Sequence, residues 1–96
     1  MRPYEMLLVL QPGLEEEATD ALLERLTGII TSEGGTLDNI DRWGKRRLAY
    51  EIDGLTEGFY VVIDFQAEPA TASELERIVK IANGVIRHLL IRKDDD

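Results

Sequence analysis

Two kinds of apolar spacing alternate along the chain. Residues 4–10 (Tyr-Glu-Met-Leu-Leu-Val-Leu) form a short, nearly continuous apolar run ended by Pro12-Gly13, which predicts a buried strand. Over residues 15–33 the spacing lengthens to that of a helix. Ala18, Leu22, Leu26, Ile29 and Ile30 mark a dry face there, and Glu16, Asp20 and Glu24 a wet one. The acidic triplet Glu15-Glu16-Glu17 lies in the first turn, where the helix dipole favours negative charge, and Gly34-Gly35 supplies the stop. Residues 36–52 read as a long strand interrupted near Trp43-Gly44, where the glycine predicts a bulge or bend. Asp53-Gly54 through Glu57-Gly58 reads as a turn into a third strand, Phe59 to Phe65. Glu68-Pro69 breaks that strand. Thr71 to Glu74 has the spacing of a capping box, and Leu75, Ile78, Val79 and Ala82 line the dry face of a second helix. Asn83-Gly84 ends it, and residues 85–92 form a fourth strand.

The resulting order, βαββαβ, predicts an α+β, ferredoxin-like sandwich, a four-stranded antiparallel sheet with two helices on one face. Residues 1–93 are expected to form one domain, with 94–96 as a short acidic tail. With both helices on one side, the strands should alternate apolar and polar, yet Met6 to Leu10 and Phe59 to Ile63 are apolar throughout. If Met6, Leu8 and Leu10 face the helices, Leu7 and Val9 face away. The same parity sends Tyr60 and Val62 outward when Val61, Ile63 and Phe65 pack inward, and adds Leu89 and Ile91 when Leu90 packs inward. Together these side chains make a patch on the order of several hundred Å², near the upper limit that monomers expose. The chain's own loops or ends, a second copy, or another protein must cover it, and the pattern leaves all three open.

Charge changes the picture in two steps. The 96 residues hold 11 basic and 19 acidic side chains, a formal net charge of −8 with a pI near 4.6. Taken whole, that balance argues against a nucleic-acid partner, because neutralising phosphate needs a positive surface. Resolved along the chain, residues 1–40 carry −6 and residues 51–83 carry −5, whereas residues 41–50 carry +3 through Arg42, Lys45, Arg46 and Arg47 against Asp41. Residues 84–96 balance Arg87, Arg92 and Lys93 against three aspartates. Fields fade over about 8 Å at physiological salt, so a local basic patch meets phosphate even on an acidic protein. A solvated basic loop fits the same charges equally well.

Candidate catalytic chemistry is sparse. The chain has no cysteine and a single histidine, His88, which removes disulfides, thiolate chemistry and any multi-histidine metal centre. His88 has no Ser or Cys motif to activate. Glu15, Glu16 and Glu17 diverge around a helix and cannot converge on one substrate. Gly34-Gly35 ends a helix and is followed by no Gly-Lys-Ser, so it is no phosphate cradle. The third strand, Glu57-Gly58-Phe59-Tyr60-Val61-Val62-Ile63-Asp64, lacks the base-stacking aromatics of an RRM signature. No stretch approaches the roughly 20 apolar residues of a membrane span, and the N-terminus lacks a signal-peptide pattern. The chain therefore reads as cytosolic and non-enzymatic, with no cofactor, no metal, no membrane and no small-molecule substrate.

Arg2-Pro3-Tyr4-Glu5, Trp43-Gly44-Lys45-Arg46-Arg47-Leu48-Ala49-Tyr50-Glu51-Ile52, Gly58-Phe59-Tyr60 and Val85-Ile86-Arg87-His88-Leu89 resemble the bacterial small-subunit ribosomal protein six family. The resemblance runs at the same spacings over essentially the whole chain and is most specific in the central block. The sequence departs from the family pattern at Glu51, where a proline follows the tyrosine in typical members. The resemblance implies a ferredoxin-like fold without catalysis, a ribosome-associated place in the cytoplasm, and two partners. These are small-subunit ribosomal RNA, through its central domain, and small-subunit ribosomal protein eighteen. Carried over residue by residue, it implies RNA contacts at Arg2, Arg46, Arg47, Arg87, Arg92 and Lys93, with Tyr4 and His88 as stacking or hydrogen-bonding neighbours. It implies a protein interface at Trp43, Leu48 and Tyr50, extended by Leu7, Val9, Leu89 and Ile91. The competing expectation is a homodimeric, ligand-sensing ferredoxin-like module that stacks its apolar sheet face, a module with no need of Lys45-Arg46-Arg47.

Overall fold

In the computed structural model, which describes residues 1–52 and 54–93, the elements run β1 (Arg2–Leu10), α1 (Glu16–Ser32), β2 (Thr36–Ile52), β3 (Leu55–Ala67), α2 (Pro69–Ile81) and β4 (Val85–Arg92). Asp53 of the expected turn and the expected tail at 94–96 lie outside the described residues. The strands pair antiparallel in the order β2-β3-β1-β4. The two apolar strands, β1 and β3, thus take the centre, where both faces need covering. Met6, Leu8 and Leu10 of β1 and Val61, Ile63 and Phe65 of β3 bury one face against Leu23, Leu26 and Ile30 of α1 and Leu75, Ile78 and Val79 of α2.

Local differences from the expected elements have local causes. The buried residues of α1 are Thr19, Leu23, Leu26 and Ile30, so the dry stripe sits one residue later than expected at its start and Ala18 is exposed. A methyl group contributes little area with which to orient a helix, and Leu23 decides instead. The expected capping box of α2 does not form. The helix begins earlier, at Pro69, and Glu68 makes no side-chain cap hydrogen bond. Proline suits this position because its ring presets the helical φ and its missing N–H would have had no intrahelical partner. Thr71 is buried instead of capping.

Glu57-Gly58 lies within β3 and not in the turn, since Ile52 already pairs with Leu55. Gly58 is there for close approach. A Cβ at this position would collide with Val9 Cγ1 and sit 3.4 Å from Leu48 Cδ2. Val9 is β-branched and buried, so it cannot swing away. We expect Gly58→Ala to cost about 1–3 kcal/mol, read as a lower urea midpoint with an unchanged slope. A midpoint equal to that of the parent would mean that Val9 and Leu48 do not pack over this glycine.

Candidate nucleic-acid and partner interface

The basic block lies on β2, and a bulge divides it between the two sides of the sheet. Arg42 pairs with Val61 on the helix side, and its guanidinium donates to Asp20 Oδ1 of α1 at 2.6 Å. The register then shifts between Arg42 and Gly44, with Gly44 at φ +87°, a backbone conformation that favours glycine. Past the extra residue, Gly44 faces Tyr60, Lys45 faces Phe59, Arg46 faces Gly58 and Arg47 faces Glu57. Lys45 lines a helix-side cleft of about 420 Å³ with Arg42, Leu14 and Phe59, whereas Arg46 lies on the open side. The net positive block is therefore not one patch. Asp20 neutralises Arg42, while Lys45, Arg46 and Arg47 take part in no ion pair among the described residues.

Trp43, next to Arg42 on the strand, lies on the open face at the bulge. Its ring stacks on Tyr60 at 6.0 Å between centroids and 2° between planes, and its Nε1–H donates to Asp41 Oδ2 at 3.1 Å. The Arg46 guanidinium lies 5.8 Å from the Trp43 ring centroid, within the range of a cation–π attraction. Because β1 ends opposite Phe59, the rest of the β2–β3 hairpin projects as an arm. That arm curls over the open face. Leu48 is 8% exposed beside Gly58 and Val9, and Val9 is itself 3% exposed. Further along, Tyr50 Oη accepts a 2.6 Å hydrogen bond from Arg87 Nη1 of β4.

The apolar open face is therefore covered in part by its own hairpin. Of the outward residues expected from parity, Val9 and Val62 are buried, Leu7 and Tyr60 are half-buried, and Leu89 and Ile91 remain 50% and 42% exposed. Val9 and Leu48, expected in a protein interface, are covered within the chain by the curl of the arm. Tyr4, expected beside RNA as a stacking or hydrogen-bonding neighbour, lies in the helix-side core, 6% exposed and 5.5 Å from the Phe65 ring. His88 has helix-side parity and sits 3.4 Å from a Glu76 oxygen of α2, on the opposite side of β4 from Arg87. The remaining cations fall into two groups. Arg46 on β2 and Arg87 on β4 lie towards the arm end of the sheet, on its two edge strands, and Arg2, Arg92 and Lys93 lie at the other end, roughly 20 Å away at about 3.3 Å per residue of β1. Lys93 Nζ approaches Asp64 Oδ1 at 3.4 Å.

Tyr60 as the bed for Trp43 was not foreseen, and neither was Asp20 as the counter-ion of Arg42. Asp20 is 22 residues from Arg42, and no local pattern links the two. Among the described residues no group of three or more His, Cys, Asp or Glu is placed to hold a metal, and no helix is long and apolar enough to cross a membrane.

The family described as Ribosomal protein S6 matches residues 3–92. The small ribosomal subunit protein bS6 of Carboxydothermus hydrogenoformans is 50% identical over 94 residues, 98% of this chain and 98% of that protein. The crystal structure of 30S ribosomal protein S6 from Thermotoga maritima superposes with a TM-score of 0.88 at 35% identity, covering 98% of this chain and 89% of that one. Both are named as ribosomal proteins and not as enzymes. The C-terminal domain of the MgtC protein from Mycobacterium tuberculosis shares the fold with a TM-score of 0.69 at 14% identity. The sandwich by itself therefore selects no function, and the full-length sequence identity carries the distinction.

Proposed function

The chain belongs to the ribosomal protein S6 family of the small ribosomal subunit, and on that premise we propose that it binds the central domain of small-subunit ribosomal RNA jointly with small-subunit ribosomal protein eighteen. The observation that carries this reading is the uncovered remainder of the open face. There exposed Leu89 and Ile91 and half-buried Leu7 run up to Arg87, which takes part in no ion pair among the described residues. An apolar strip bordered by arginine suits a protein partner that brings its own positive charge to a shared RNA. A chain with a net charge of −8 has little long-range attraction for phosphate by itself. Trp43 and Tyr50, both exposed on the same open face, extend the docking surface beyond the strip. Arg46 and Arg87 form one RNA contact group, with Arg47 on the arm, and Arg2, Arg92 and Lys93 form a second. The homodimeric sensor has no observation of its own in its favour.

Leu89→Asp tests the docking face. Leu89 is half-exposed, so folding should be disturbed by no more than about 0.5 kcal/mol, while a carboxylate in a desolvated interface should weaken binding to protein eighteen at least about tenfold. Titration calorimetry with protein eighteen measures this. Affinity equal to that of the parent chain would remove the open face as the docking surface.

A further inference from the structure

The contact between Tyr50 and Arg87 joins residues 37 positions apart, on the hairpin arm and on edge strand β4. It has two components. Arg87 Nη1–H donates to the phenol oxygen at 2.6 Å, and the guanidinium carbon lies 5.8 Å from the centroid of the same ring. Tyr50 is 60% exposed, so burial of its ring does not account for its placement. Arg87 takes part in no ion pair among the described residues. Its guanidinium carries five N–H groups in a planar fork. A single bond to Tyr50 leaves donors available for two oxygens of one anion.

We propose that Tyr50 is a positioning residue for RNA binding, holding the Arg87 guanidinium in place on the open face so that its remaining donors meet a phosphate group. The inference rests on the reading above that Arg87 meets RNA. An arginine side chain has many rotamers, and ordering it opposes binding. A phenol that orders it beforehand leaves less to be ordered when phosphate arrives. A neutral partner is well suited to this, because a carboxylate in the same place would cancel the charge, as Asp20 does for Arg42. Trp43 holds Arg46 in a similar way, with the ring fixed by Tyr60 and Asp41 and the guanidinium 5.8 Å from its centroid. Both open-face arginines at this end are therefore held by aromatic rings and not by acids.

The test uses the full chain with protein eighteen and central-domain small-subunit ribosomal RNA, comparing the parent with Tyr50→Phe, Arg87→Ala and the double variant across a salt series. Tyr50→Phe keeps the ring and every charge. It should lower joint affinity about three- to tenfold with the salt slope unchanged, whereas Arg87→Ala should cost at least about tenfold and flatten the slope by roughly one. The double variant should bind no worse than Arg87→Ala alone, since Tyr50 has then nothing left to position. Parent-like affinity of Tyr50→Phe beside a weakened Arg87→Ala would overturn the positioning role and leave the RNA reading standing. Additive losses in the double variant would also overturn it, because Tyr50 would then act independently. If neither single variant changes affinity or slope, Arg87 does not meet RNA, and the reading fails together with the inference.

Discussion

Replacing Phe65 with alanine is expected to destabilise the chain by about 3–5 kcal/mol, a large share of the roughly 5–15 kcal/mol that keeps a domain folded. Phe65 is fully buried on β3, pairs with Tyr4 on one side and Leu37 on the other, and stacks its ring against Tyr4. Alanine would leave a ring-sized void enclosed by two strands and the helix layer, and fixed backbone pairing on both sides prevents its collapse. Urea unfolding followed by circular dichroism measures the effect. A loss below about 1 kcal/mol would mean that the layer relaxes far more than its packing indicates. The same experiment on Leu89→Asp should show almost nothing, and that contrast separates the helix-side core from the open face.

The second large effect concerns RNA. Arg46→Ala combined with Arg87→Ala should reduce joint RNA affinity by about a hundredfold or more, at roughly tenfold or more per charge-assisted contact. It should also flatten the dependence of log affinity on log salt by roughly 1.5–2. Filter binding at several salt concentrations gives both quantities. Arg42→Ala supplies the decisive comparison. By sequence it belongs to the same basic block, but its charge is already matched by Asp20 at 2.6 Å on the helix side, so its removal should leave the slope nearly unchanged. If Arg42→Ala flattened the slope as much as Arg46→Ala, the division of the block by the Trp43-Gly44 bulge would have no bearing on RNA.

The element order and the inward faces of β1 and β3 were legible because each depends on local periodicity, and burial on the helix side enforces it. The bulge at Trp43-Gly44 was legible as a place, since a glycine inside a strand pattern is informative. Its consequence was not. A single inserted residue reverses which side each later cation takes, and register follows from the partner strand and not from β2 itself. The burial of Tyr4 was hidden for a related reason: nothing near the start of β1 shows that its ring completes the core, which follows from its pairing with Phe65 across the sheet. The cover over Val9 came from Leu48, 39 positions later, through a glycine at position 58 that had looked like turn chemistry. Contacts at that separation leave no trace in a window of one element.

On the proposed function, an acidic chain reaches ribosomal RNA through a surface shared with protein eighteen and not by its own field. The deciding measurement is its affinity for central-domain small-subunit ribosomal RNA at about 0.15 M salt, with and without protein eighteen. Little or no binding is expected of the chain alone, and the RNA complex of both proteins should be tighter than that of protein eighteen by itself. Tight binding by the chain alone, or a joint complex no tighter than that of protein eighteen alone, would contradict the proposed function.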